Sequence, residues 1–80
     1  MYKDVTLQYP VQVDGVELKS IKIRRPKVRD MLAASKTAGQ DDEKELQLFS
    51  NLCELPPETM KDLDIADYAK LQETFKGFLS

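Results

Sequence analysis

The side chains best suited to chemistry are basic, and they lie close together in the sequence. Six of the twelve lysine and arginine residues fall within residues 19–29. Such a cluster can bind the phosphates of a nucleic acid or the carboxylates of a protein partner. It can also be the solvated side of a strand, because a sheet with one wet face alternates charged and apolar residues. We define the basic patch as Lys22, Arg24, Arg25, Lys27 and Arg29.

Composition argues against a nucleic acid as the partner of this patch. The isoelectric point is about 5.0, and no aromatic residue that could stack on a base lies between residues 10 and 48. A small nucleic-acid-binding regulator that uses residues 19–29 is therefore kept as the alternative function. A solvated strand face and a protein-binding surface both remain open.

Residue types needed for several common kinds of catalytic site are missing. The chain has no histidine, which excludes histidine acid–base catalysis, Ser-His-Asp triads and histidine metal sites. Its three glycines lie too far apart in sequence to form a phosphate-binding loop. Cys53 has no disulfide partner and is interpreted as a buried small apolar residue. We expect a protein that is not an enzyme and that needs no cofactor or metal.

Charge is divided unevenly along the chain. Residues 1–36 carry eight cations and four anions, a net charge of +4, and residues 37–80 carry four cations and ten anions, a net charge of −6. A dipolar chain can associate head to tail or offer opposite faces to two partners, so a homo-oligomer is considered. The 80 residues predict a single domain, 1–80, with a small core. No apolar run reaches the roughly 18–20 residues that a transmembrane helix needs.

The N-terminal third predicts an antiparallel β-hairpin over about residues 4–24. Apolar and polar residues alternate from Val5 to Val13, the period of a half-buried strand. Asp14-Gly15 follows and is typical of a type I′ turn. Leu18 and Ile21 cannot share a face under strict alternation, so we predict a β-bulge with one extra residue at Lys19 or Ser20.

The rest of the chain predicts helices, and the fold class is therefore α+β. Val28, Met31 and Leu32 share one helical face, with Asp30 in the first turn, where a carboxylate suits the helix dipole. Asp64 is expected to cap the last helix, with Asp67 as the acidic partner of a capping box. Three or four short helices are expected, over about residues 27–37, 42–54, 57–63 and 65–79.

The two longest predicted helices carry more apolar surface than a hairpin can cover. Their stripes form the core in part, and the surplus suits a helical partner or self-association. The apolar residues proposed to contact a partner are Leu48, Phe49, Leu52, Tyr68, Leu71, Phe75, Phe78 and Leu79.

An ordered set of short motifs resembles the tail assembly chaperone family of tailed bacteriophages and prophages. The resemblance runs from about Leu7 to Leu79 and is greatest to the protein E and Mu-type group of contractile-tailed phages. The motifs that carry it are Asp14-Gly15, Arg25-Pro26, Asp30, Leu55, Leu63, Asp67-Tyr68 and Phe78-Leu79.

This resemblance implies a non-enzymatic role in virion assembly. Members of the family bind the long, helical, aggregation-prone tape measure protein and keep it soluble while the major tail tube protein assembles around it. They act in the cytoplasm of the bacterial host and are absent from the mature virion. Such families often also make a longer product by ribosomal frameshifting, and the codons of Gly77-Phe78-Leu79 can encode a slippery sequence. A coding sequence without a slippery run over residues 74–79 would exclude that longer product.

Overall fold

The computed structural model describes residues 1–80 as a two-stranded antiparallel sheet followed by four helices. Every predicted helix begins and ends within two residues of an observed one, so the predicted α+β arrangement is confirmed. None of the helices has both the length and the apolar character needed to cross a membrane. The elements are β1 (Tyr2–Val13), β2 (Val16–Arg24), α1 (Val28–Ser35), α2 (Asp41–Cys53), α3 (Pro57–Lys61) and α4 (Ile65–Phe78).

The turn of the hairpin forms where the sequence predicts it. Asp14 and Gly15 both have positive φ, 51° and 79°, as a type I′ turn requires. Val13 pairs with Val16 across the turn. The Asp-Gly signal therefore sets the register of the hairpin in this region.

The irregularity of the hairpin lies at the predicted position along the strand pair, next to Lys19 and Ser20, but the extra residues are on β1 and not on β2. Thr6 pairs with Ser20 and Val11 pairs with Leu18, so residues 7–10 of β1 face Lys19 alone. The prediction of an extra residue on β2 is therefore wrong. The physical reason is that Pro10 has no N–H to donate, while the N–H groups of Gln8 and Tyr9 donate to α4 instead of to a strand.

The hydrophobic core lies between one face of the hairpin and helices α2, α3 and α4. Full burial of one such apolar side chain stabilises a fold by about 1.5–3 kcal/mol. Helix α1 contributes no residue to this cluster. The buried members are Val5, Leu7, Val11, Ile21, Ile23, Phe49, Leu52, Cys53, Met60, Leu63, Leu71 and Phe78.

Helix α1 packs mainly against α2 and exposes most of its apolar residues. Val28, Met31 and Leu32 are 68%, 59% and 53% exposed, whereas Ala34 and Asp30 are buried. The shared face predicted from the sequence thus points away from the core. This helix presents apolar surface that nothing else in the chain covers.

The start of α4 follows the sequence prediction only in part. Asp64 caps the helix, because its Oδ1 accepts a hydrogen bond from the Ala66 N–H at 2.9 Å. Asp67 does not complete a capping box as predicted. Its carboxylate turns towards β1 and accepts from the N–H groups of Gln8 and Tyr9. These N–H groups lie in the irregular part of β1, and they bind the carboxylate more strongly than one helix-terminal N–H would.

Candidate functional site

An apolar groove lies where the first, second and fourth helices meet. Its volume is about 330 Å³, and it combines the start of α1, the middle of α2 and the residue that follows α4. We call it the α1 groove. Its lining residues are Pro26, Lys27, Val28, Met31, Leu48, Phe75 and Leu79.

Side chains in the α1 groove are held in place although they are open to solvent. Leu48 and Phe75 are half-buried and pack on the core cluster. Phe75 meets Phe49 edge to face, with ring centroids 5.4 Å apart. Leu79 is 66% exposed at the rim. Contiguous exposed apolar surface on a fixed scaffold is typical of an interaction site.

A second groove, rich in cations, borders the first. It has a volume of about 360 Å³ and is lined by residues from the start of β1, the end of β2 and the start of α1. We call it the cationic groove. Lys27 lines both grooves, so the two surfaces are continuous. The lining residues of the cationic groove are Met1, Tyr2, Arg24, Arg25, Lys27 and Arg29.

The end of β2 and the start of α1 are joined by one partly buried ion pair. Arg24 Nη1 and Nη2 donate to the two carboxylate oxygens of Asp30 at 2.9 and 2.6 Å, and the Lys27 N–H donates to Asp30 Oδ2 at 2.8 Å. The hydrogen bonds from Arg24 lower the pKa of Asp30, and they outweigh the opposing effect of burial. The same pairing raises the pKa of Arg24. This contact fixes the position at which Lys27 and Val28 enter the two grooves.

The pairing changes how many cations of the basic patch are available to a partner. The charge of Arg24 is matched by Asp30, and Lys22 is exposed but does not line the cationic groove. Arg25, Lys27 and Arg29 are exposed and form no salt bridge. The structure therefore brings together three of the five predicted cations without a salt bridge, and the Cζ of one of them, Arg25, lies 5.9 Å from the centroid of the Phe78 ring.

The eight apolar residues proposed for partner binding fall into three groups. Leu48, Phe75 and Leu79 line the α1 groove. Tyr68 lies in a separate cavity of about 290 Å³, together with Asp42, Glu43 and Glu45. The other four are in the core and closed to a partner in this conformation: Phe49, Leu52, Leu71 and Phe78.

The separate cavity is acidic, and its tyrosine is engaged within the chain. Tyr68 donates a hydrogen bond from its hydroxyl to Glu45 Oε2 at 3.0 Å. Burial, followed by the charge of Glu45, raises the pKa of Tyr68. The uneven charge of the sequence thus becomes a cationic groove in one place and an acidic cavity in another.

Sequence reasoning missed Val28 and Met31 as site residues. Their spacing predicts a shared helical face, but spacing does not tell whether another element covers that face. The sequence carries no signal for this, because α1 is held by the buried side chains of Asp30 and Ala34 and not by its apolar face. Cys53 is buried, as the sequence predicts, and burial raises the pKa of its thiol to about 12.

Comparison with known proteins identifies the family. The model of the family described as "Phage tail assembly chaperone proteins, E, or 41 or 14" matches residues 4–80. A search of curated proteins and a search of solved structures each found no match. The match spans nearly the whole chain and confirms the resemblance seen in its motifs. The chain therefore belongs to the phage tail assembly chaperone family.

Proposed function

We propose that this protein binds the tape measure protein through the α1 groove and keeps it soluble in the host cytoplasm during tail assembly. The observation that carries the proposal is the exposed apolar surface of α1 and its neighbours in a chain of this family. A groove between helices suits the apolar stripe of a partner helix. The role is non-enzymatic, and the protein would be absent from the mature virion.

The size of the groove implies that many copies act on one partner. A single groove lined by seven residues buries far less than the roughly 1,200–2,000 Å² of a stable interface. A long helix with a repeated apolar stripe can bind many copies, and effective concentration then raises the total affinity. The major tail tube protein is a second proposed partner, since it would displace these copies as the tube grows.

Co-expression with the protein of the next large downstream reading frame tests the proposal. We expect the partner to precipitate when made alone, and to stay soluble and co-elute in size-exclusion chromatography when made with this chain. The double variant Met31→Gln/Leu79→Gln removes apolar character from the groove without adding charge. We expect it to lose co-elution and leave the partner in the pellet.

A matched control changes two exposed apolar residues outside the groove. Val16 and Ile65 are 68% and 85% exposed, and the double variant Val16→Thr/Ile65→Gln should behave as the unmodified chain does. If the unmodified chain does not bind the partner, the same assay is run with any longer frameshifted product. Failure of both products would refute the proposal.

A further inference from the structure

We infer that the segment bound by the α1 groove is an amphipathic helix whose apolar stripe is bordered on one side by carboxylates, and that the cationic groove binds this acidic border. The inference rests on the proposed function and specifies the chemistry of the partner. It follows from the continuity of the two grooves and from the charges that remain unpaired around them.

Continuity comes from the way α1 begins. Lys27 immediately precedes α1 and lines both grooves, and Val28, the first residue of the helix, lines the apolar one. A helix lying in the α1 groove would therefore have one flank against the cationic groove. On such a helix, residues at i, i+3 and i+4 form one row, so a carboxylate row can run beside an apolar row.

The charge on this flank has a single sign. Arg25, Lys27 and Arg29 are exposed and form no salt bridge, and no acidic residue lines either groove. Asp30, the nearest carboxylate in sequence, uses both oxygens on Arg24 and the Lys27 N–H. A partner flank bearing lysines would meet uncompensated like charge, whereas carboxylates would be paired.

The geometry favours an acidic helix over a nucleic acid. Tyr2, 51% exposed, is the one aromatic residue in the cationic groove, and single-strand binding commonly uses several stacking aromatics. The adjoining apolar surface would also remain uncovered by a phosphate backbone. An acidic amphipathic helix covers both surfaces at once.

Three synthetic helical peptides test the inference directly. They share one apolar stripe and differ only in the residues that border it, which are glutamate, glutamine or lysine. Binding is measured by fluorescence anisotropy at low and at high salt. We expect the glutamate peptide to bind on the order of tenfold more tightly than the lysine peptide at low salt, with a smaller difference at high salt because exposed charges are screened.

Variants of the chain locate the contact. The double variant Lys27→Gln/Arg29→Gln leaves only Arg25 of the three cations that form no salt bridge. It should lower the affinity for the glutamate peptide towards that for the glutamine peptide, and leave the latter unchanged. The control Lys19→Gln/Lys61→Gln removes the same charge from exposed positions outside both grooves. It should leave the preference for the glutamate peptide intact.

Other outcomes separate this inference from the proposed function. Equal binding of all three peptides, with co-purification of the tape measure protein intact, would overturn the inference alone. Preference for the glutamate peptide without capture of the tape measure protein would overturn the proposed function alone. Displacement of the glutamate peptide by a single-stranded oligonucleotide would assign the cationic groove to nucleic acid. Oligomers abolished by Met31→Gln/Leu79→Gln, with no peptide bound, would assign the α1 groove to a second copy of this chain.

Discussion

Helices α1 and α4 are both tied to the hairpin by a buried aspartate, but they differ in what they do with their apolar residues. Asp30 holds α1 through Arg24, and Asp67 holds α4 through two N–H groups of β1. Helix α4 then buries Leu71 and Phe78 in the core. Helix α1 places no residue in the core cluster and leaves Met31 and its neighbours exposed.

The difference shows that a buried carboxylate can position a helix while the apolar face of that helix stays exposed. A helix held by apolar burial must turn its apolar stripe inward. A helix held by charge-assisted hydrogen bonds is free of that constraint. We therefore interpret α4 as part of the scaffold and α1 as the element that presents surface to a partner.

The test with the largest expected effect on the free energy of unfolding truncates one apolar residue on each helix. Leu71 is fully buried and Leu32 is 53% exposed. We expect Leu71→Ala to lower the free energy of unfolding by about 2–5 kcal/mol, because it leaves a cavity in the core. Leu32→Ala, the matched control, should change it by no more than about 0.5 kcal/mol. Urea denaturation measures both, and similar costs would remove the distinction between the helices.

The next largest effect comes from the carboxylate that holds α4. Asp67 accepts hydrogen bonds from the Gln8 and Tyr9 N–H groups at 2.8 and 2.9 Å, one on each oxygen. In the Asp67→Asn variant the amide NH2 replaces one acceptor, so one of the two partly buried backbone N–H groups loses its partner. We expect a loss of about 1–3 kcal/mol in the free energy of unfolding. Asp64→Asn is the control and should be nearly neutral, because asparagine also caps helices well.

The pH dependence of that loss has a defined sign. Burial tends to raise the pKa of Asp67, but the N–H groups of Gln8 and Tyr9, with Lys70, outweigh it and hold the pKa below its ordinary value. A carboxyl group with a lowered pKa in the folded state stabilises the fold above its unfolded pKa of about 3.9, and this contribution is lost as the pH falls further. The difference between the unmodified chain and Asp67→Asn should therefore shrink below about pH 4. A constant difference from neutral to strongly acidic pH would contradict this assignment.

Much of the fold could be predicted because its signals are local. The Asp14-Gly15 turn and the Asp64 cap each act within a few residues of their own position in the sequence. The role of Asp67 could not be predicted in this way, since its partners lie 58 and 59 residues away. The assignment of the bulge to β2 was wrong for the same reason. The bulge on β1 frees the N–H groups of Gln8 and Tyr9, and the acceptors for them come from Asp67, which is distant in sequence.

The candidate site was predictable to a smaller extent. The apolar spacing on α2 and α4 predicted Leu48, Phe75 and Leu79 as partner-binding residues, and these line the α1 groove. It also predicted residues that are buried in the core. Spacing identifies an apolar face and does not reveal which part of a wide stripe is covered. The pairing of Arg24 with Asp30 likewise depends on how β2 meets α1, so the number of unpaired cations could not be counted in advance.

The smallest expected change in global stability concerns the contact that holds α1. Asp30→Asn removes the charge that pairs with Arg24, and Arg24, whose side chain is 27% exposed, can then turn towards water. We expect a cost of about 1 kcal/mol in the free energy of unfolding, because α1 can loosen while the core of the hairpin, α2 and α4 stays intact. Hydrogen exchange should accordingly become faster at the amides of α1 and stay unchanged in α4.

Asp41→Asn, an exposed change at the start of α2, is the control and should alter neither helix. Faster exchange in both α1 and α4 would mean that α1 belongs to the same cooperative unit as the core, and the separation between a scaffold helix and a presenting helix would not hold.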